Sequence, residues 1–103
     1  MDVVAPLSEA IRERRVVRLF YGADTSVYRE VEPHLIGYNR RNKLSLGAWF
    51  LVGASVSGEG EGWREYLISE IRSVALLDRC FPGSRDGYKP DGGANFHGVR
   101  CAV

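Results

Sequence analysis

Two arginines lie where a strand would hold them. Arg29 belongs to the alternating run Val27-Tyr28-Arg29-Glu30-Val31-Glu32, and Arg64 to Trp63-Arg64-Glu65-Tyr66. An arginine inside a strand either faces solvent or is aimed into a pocket, and there its planar fork suits a phosphate bidentately. The plainer reading pairs each one with Glu30, Glu32, Glu65 or Glu70 on a sheet surface, an arrangement worth little. A denser basic cluster, Arg40, Arg41 and Lys43, falls in the polar turn after Tyr38. An aromatic beside backbone-neutralising cations is how single-stranded nucleic acid is gripped. The alternative is a solvated hairpin tip. Trp63 and Tyr66, with Trp49, Tyr21 and Phe81, are further stacking candidates, although large aromatics in a small β domain usually build its core. Trp63 follows a glycine-rich stretch and is expected to be partly exposed.

Other chemistry is poorly represented. His34 and His97 are far apart, with no carboxylate or cysteine spacing that suggests a metal. Cys80 and Cys101 are too few for a disulfide framework. Cys80, between Arg79 and Phe81, reads as a buried small hydrophobe. Gly58-Glu59-Gly60-Glu61-Gly62 alternates glycine with acid and would repel a phosphate. Ser57, Ser69 and Ser73 lack the strand-turn-helix setting of a nucleophile elbow. The expectation is a protein with no catalytic residue, metal or cofactor, and not an enzyme.

The elements that must position these side chains are mostly strands. Residues 6–15 have a helical stripe, Leu7, Ala10 and Ile11, with Pro6 in the first turn or Ser8 as a later cap. The period then changes to β-branched and aromatic runs at residues 16–21, 27–32, 34–38 and 44–56. Gly47 and Gly53 suggest bends in the last of these. Residues 57–62 read as a hairpin loop. Residues 63–69 and 71–77 read as two strands joined through a bend. Residues 85–93 are rich in Gly, Pro and Asp and read as a surface excursion, with 95–103 as a last short strand. One helix with five or six closely spaced strands points to a small barrel or strongly bent sheet.

Bulk properties agree. With 103 residues the chain fits one domain: helix about 6–15, barrel about 16–81 and a loop-rich extension 82–103. Composition is ordinary, with 45% hydrophobic and 26% charged residues. Fourteen Lys and Arg against thirteen Asp and Glu leave a formal charge of +1, so a nucleic acid would be held by a local patch. No signal sequence is evident and no apolar run approaches the ~20 residues of a membrane span, so the expected location is the cytoplasm.

The order of segments resembles the WYL domain family. Val17-Arg18-Leu19-Phe20-Tyr21, Arg29-Glu30-Val31-Glu32-Pro33 and Leu44-Ser45-Leu46-Gly47-Ala48 are similar to the opening of that domain. Arg64-Glu65-Tyr66-Leu67-Ile68-Ser69-Glu70-Ile71 and Leu77-Asp78-Arg79-Cys80-Phe81 are similar to its second half. The tripeptide that names the family falls at Leu44-Ser45-Leu46, where the final leucine is kept, and Glu70 stands where the family has arginine. The stretch from Gly37 through Gly62-Trp63, with Tyr88-Lys89-Pro90, resembles a small stand-alone variant from bacteria and their mobile elements.

The resemblance implies a mainly β fold, a five-stranded barrel of the SH3/Sm type with one N-terminal helix. It implies a regulatory sensor, linked to transcription, that binds nucleic acid or a nucleotide-like ligand on a basic concave face. The residues before Val16 leave no room for the helix-turn-helix that precedes the module in larger members, so the chain reads as the sensor module alone. Expected ligand contacts are Arg29, Arg64, Tyr66, Trp63, Tyr38, Arg40, Arg41 and Lys43. The other reading is a protein-interaction module, a homodimer or the partner of another protein, using open sheet edges.

Overall fold

The computed structural model describes residues 2–23, 26–53 and 60–103. Helix α1 (Val4–Glu13) opens on Asp2, whose Oδ1 accepts the Val4 amide at 2.9 Å. The helix therefore starts two residues before the expected position. Pro6 still falls in the first turn, where no intrahelical bond needs its missing N–H. Arg14 ends α1 in the left-handed conformation (φ 54°) and turns the chain directly into β1 (Arg15–Tyr21). Arg15, expected in the helix, is thus the first strand residue.

β2 (Arg29–Asn39), β3 (Leu44–Gly53) and β4 (Gly62–Leu67) follow as antiparallel neighbours. A single 3-10 turn, Ile68–Glu70, bends the chain into β5 (Ile71–Cys80), which returns to pair with β1. This is the expected bend between the two halves of the second sequence block. β6 (Phe96–Ala102) closes the chain. The expected hairpin loop at residues 57–62, and the expected continuation of β3 to residue 56, fall partly outside the described residues.

The fold is mainly β, with six antiparallel strands in one sheet rather than five. The order is β4-β3-β2-β1-β5, and β6 pairs with β2 off that path. Among the described residues the sheet is not closed, because no ladder joins β4 to β5. β2 is the spine. One of its sides pairs with β3 along its length, and the other is shared by β1 at residues 29–31 and β6 at residues 35–39. The β2–β3 register shifts between Pro33 and Leu35. A bulge suits that position because proline has no N–H for the ladder.

Leu7, Ala10 and Ile11 of α1 are sealed against Val17, Leu19, Val31, Ile36, Leu46, Ala48, Phe50, Tyr66 and Ile71. Each aliphatic side chain so buried contributes about 1.5–3 kcal/mol. The face of the sheet that carries α1 is the inner face. Gly53 (φ 121°) sits where β3 crosses the start of β2, and a Cβ there would overlap the carbonyl oxygen of Tyr28. Residues 81–95 are not a simple surface excursion. They fold back over the outer face in a chain of tight turns, with Tyr88 N–H donating to Arg85 O, Gly92 N–H to Lys89 O and Phe96 N–H to Gly92 O.

Candidate functional site

Strand alternation sorts the charges of β2 onto opposite faces. Arg29 shares the inner face with Val31, while Glu30 and Glu32 project outward. On β4, Arg64 and Tyr66 lie inward opposite Ala48 and Leu46, while Trp63 and Glu65 lie outward opposite Trp49 and Gly47. The carboxylates next to Arg29 in sequence are thereby taken by other arginines. Glu30 accepts from Arg18 at 2.8 Å and Arg79 at 2.9 Å, and Arg85 grips Glu32 through two bonds of 2.7 and 2.8 Å. Hydrogen bonding to Arg18 and Arg79 outweighs burial and holds the Glu30 carboxyl below the usual carboxylate range.

Arg29 and Arg64 therefore share one face, with no carboxylate partner among the described residues. Arg29 is 8% exposed. Its guanidinium lies over the Tyr21 ring at 5.4 Å, and its Nη1 makes one long bond, 3.5 Å, to Tyr21 O. Arg64 lies over the Phe50 ring at 5.2 Å and donates to the carbonyls of Trp63 and Gly60, each at 2.9 Å. Tyr66 sits between the two cations electrostatically. Burial pushes its phenol up to about 12, and the nearby positive charges of Arg29 and Arg64 pull the other way. Tyr21 packs edge-on against Tyr66 at 5.1 Å, and its hydroxyl accepts the Leu67 amide. A guanidinium carries five N–H donors. Arg29 uses one of them, in a long bond, among the described residues.

The outer face carries a second constellation. His34, fully buried, stacks on Phe81 at 5.1 Å and meets Trp63 and Tyr88 edge-on at 4.9 and 5.1 Å. Trp63 runs nearly parallel to Tyr88 and perpendicular to Trp49, and Arg85 covers Trp49 at 5.1 Å. Trp63 is half-buried, as expected, but it faces away from Arg29 and Arg64. Cys80, expected to be buried, is exposed near the end of β5, where Arg15 is its Cα partner on β1. Among the described residues no group of three His, Cys, Asp or Glu side chains converges as a metal site would need.

The basic turn lies at the other end of β2 from Arg29, at most roughly 30 Å along the strand at 3.3 Å per residue. Asn39 organises it: Oδ1 accepts the Arg41 and Lys43 amides, and Nδ2 donates to Glu65 at 2.7 Å. Asn42 takes the left-handed conformation (φ 59°). Arg40, Arg41 and Lys43 are exposed and have no ion pair among the described residues. Tyr38 stacks on His97 at 6.0 Å, and Arg100 lies over its ring and donates to its hydroxyl at 2.8 Å. The eight candidate residues thus separate into three places: Arg29, Arg64 and Tyr66 inside, Trp63 outside, and Tyr38 with the three cations at the far turn. Arg100 and His97 reach Tyr38 only because β6 pairs with β2, a contact that no local sequence signal announces.

A family model described as the WYL domain matches residues 2–76. The chain belongs to the WYL domain family. WYL domains are regulatory ligand-binding modules. No curated protein and no solved structure matches the chain. The match contains α1, β1 to β4 and the first part of β5, and with them Arg29, Arg64 and Tyr66. Residues 81–95 and β6 lie beyond the matched stretch. At the WYL tripeptide position Leu46 is in the core, and the fully buried Ser45 donates its hydroxyl to Lys43 O. Glu70, where the resemblance places an arginine, contacts Arg72 at 3.5 Å. No helix among the described residues is long and apolar enough to cross a membrane.

Proposed function

We propose that this WYL domain is a non-enzymatic regulatory module that binds a phosphate-bearing ligand, a nucleotide or single-stranded nucleic acid, at Arg29 and Arg64. One observation carries the reading: two guanidinium groups share the inner face beside Tyr66 with no carboxylate partner among the described residues. A cation left in a mostly apolar setting is costly unless an anion reaches it. A phosphate would accept from both forks. The exposed turn of Arg40, Arg41 and Lys43 lies at the far end of β2, beyond the same small ligand, but it would meet a longer strand that runs on from the two arginines.

The test is titration of nucleoside mono- and triphosphates and of a labelled single-stranded oligonucleotide at two salt concentrations. Affinity should fall with salt, and Arg29→Ala or Arg64→Ala should weaken binding about ten-fold or more. Changing Arg40 and Arg41 together to Ala should affect the oligonucleotide and spare the mononucleotide. Binding that is indifferent to Arg29 and Arg64 would overturn the assignment. Self-association with no anion binding would favour the interaction-module reading, for which the open edges of β4 and β5 supply unpaired backbone.

A further inference from the structure

The turns of residues 85–96 form an arch over the outer face of β2, β3 and β4, and beneath it lies a cavity of ≈ 540 Å³. That volume is within the range of small-ligand sites, roughly 300–1,000 Å³. The floor is Leu35 and Gly47. Trp63 and Tyr88 line one side with their rings 20° from parallel, and Phe96 lines the other. The arch is anchored at both ends. A Cβ on Gly47 would press the Phe96 ring at 3.3 Å, and one on Gly87 would press Trp63 Nε1 at 3.3 Å. The polar ends of the aromatic walls are already engaged. Trp63 Nε1 donates to Asp86 O at 2.9 Å, and the Tyr88 hydroxyl contacts His34 O and Val103 O. These bonds fix the rings in place and leave carbon surface for a ligand.

Three charged side chains on the lining, Arg64, Glu65 and Lys89, form no ion pair among the described residues, and Arg64 donates its guanidinium N–H groups to the carbonyls of Trp63 and Gly60. Glu65 accepts one bond at Oε2 from Asn39, keeps its other oxygen unused and forms no ion pair. Lys89 lays its stem along Gly93, where an added Cβ would come within 2.9 Å of Cδ, and also forms no ion pair. A carboxylate and an ammonium on one aromatic-walled cavity complement a ligand carrying both charges and a flat ring. Glu65 would repel an anion alone, and of the two inner-face arginines Arg64 lines this cavity while Arg29 does not.

We propose that the cavity under the arch is a second binding site, for an aromatic α-amino acid whose ammonium meets Glu65, whose carboxylate meets Lys89 and whose ring packs among Trp63, Tyr88 and Phe96. Its aromatic walls lie on the opposite face from Arg29, and Arg64 is the one residue it has in common with the phosphate site.

The experiment is titration of the whole chain with L-tryptophan, L-phenylalanine, tryptamine and indole-3-acetate, followed by backbone amide shifts and Trp fluorescence. Saturable shifts at Gly87, Tyr88, Gly92 and Phe96 are expected with both amino acids, with tryptamine weaker and indole-3-acetate weaker still. Glu65→Gln, which keeps an acceptor for Asn39, should reduce amino-acid affinity about ten-fold while leaving the melting temperature nearly unchanged. Arg29→Ala should leave amino-acid binding intact. Absence of saturable shifts at millimolar ligand, indifference to Glu65→Gln, or preference for indole-3-acetate over tryptamine would each overturn the proposal.

Discussion

His34 shows how one buried polar ring can hold two parts of the chain together. Its Nδ1–H donates to Glu32 O at 2.8 Å, and its Nε2 accepts the Arg85 amide at 3.2 Å. An acceptor at Nε2 requires the neutral ring. Burial holds the imidazole below its ordinary value, the Arg85 guanidinium adds to this, and Glu32 opposes it. A depressed histidine binds fewer protons folded than unfolded, so stability falls as pH drops below the unfolded value of 6.5 and levels off below the folded value. Glu30, also depressed, loses its contribution in a lower window, as pH falls from 4.5 through its folded value. Melting temperatures between pH 7.5 and 5 should therefore decline in the natural chain. They should stay flat in His34→Gln, which starts lower because the Phe81 stack is lost. A natural chain with no decline above pH 5 would mean that the ring is not held neutral.

At the scale of elements, β2 is bonded on both sides and should be the last strand to exchange its amide protons, with β4 and the outer edge of β5 exchanging early. Gly53 holds the crossing of β3 over the start of β2. Gly53→Ala should cost about 2–4 kcal/mol in denaturant unfolding, through positive φ and overlap with Tyr28. Gly60→Ala, where an added Cβ meets nothing within 4 Å, should cost little. Much of this level is legible in the sequence. The Leu7, Ala10, Ile11 stripe marks the helix face, and alternation in residues 29–32 already separates Arg29 from Glu30 and Glu32. Gly53 does mark special backbone, whereas Gly47 marks the close approach of the Phe96 ring. What local pattern cannot convey is non-local pairing. Arg85, more than fifty positions away, claims Glu32, and β6 completes the side of β2 left free by β1. For the same reason the exposure of Cys80 and the company of Tyr38 could not be read from their neighbours in sequence.

At the scale of the whole molecule, the matched WYL stretch and the residues after it have different tasks. The first builds the core and the inner-face arginines. The second covers the aromatic outer face and completes β2. Removing residues 81–103 should lower the melting temperature by at least ~5 °C, since about 1 kcal/mol corresponds to 4–8 °C in a domain of this size. It should also shift Trp49 and Trp63 emission to the red and let the protein bind a hydrophobic dye. Unchanged melting and emission would show that the arch contributes nothing to stability. The truncated chain, if folded, should keep phosphate binding and lose amino-acid binding.

The pairing of β6 with β2 has a consequence for synthesis. Residues 96–102 leave the ribosome roughly sixty residues after the segment they complete. During that interval the side of residues 35–39 that β6 will occupy presents unpaired N–H and C=O groups to water. A second copy held close by, as on a polysome, offers the same strand at high local concentration. Exchange of β6 between two chains would satisfy the same bonds as folding back. Slow translation of the last segment should therefore increase the yield of entwined dimers.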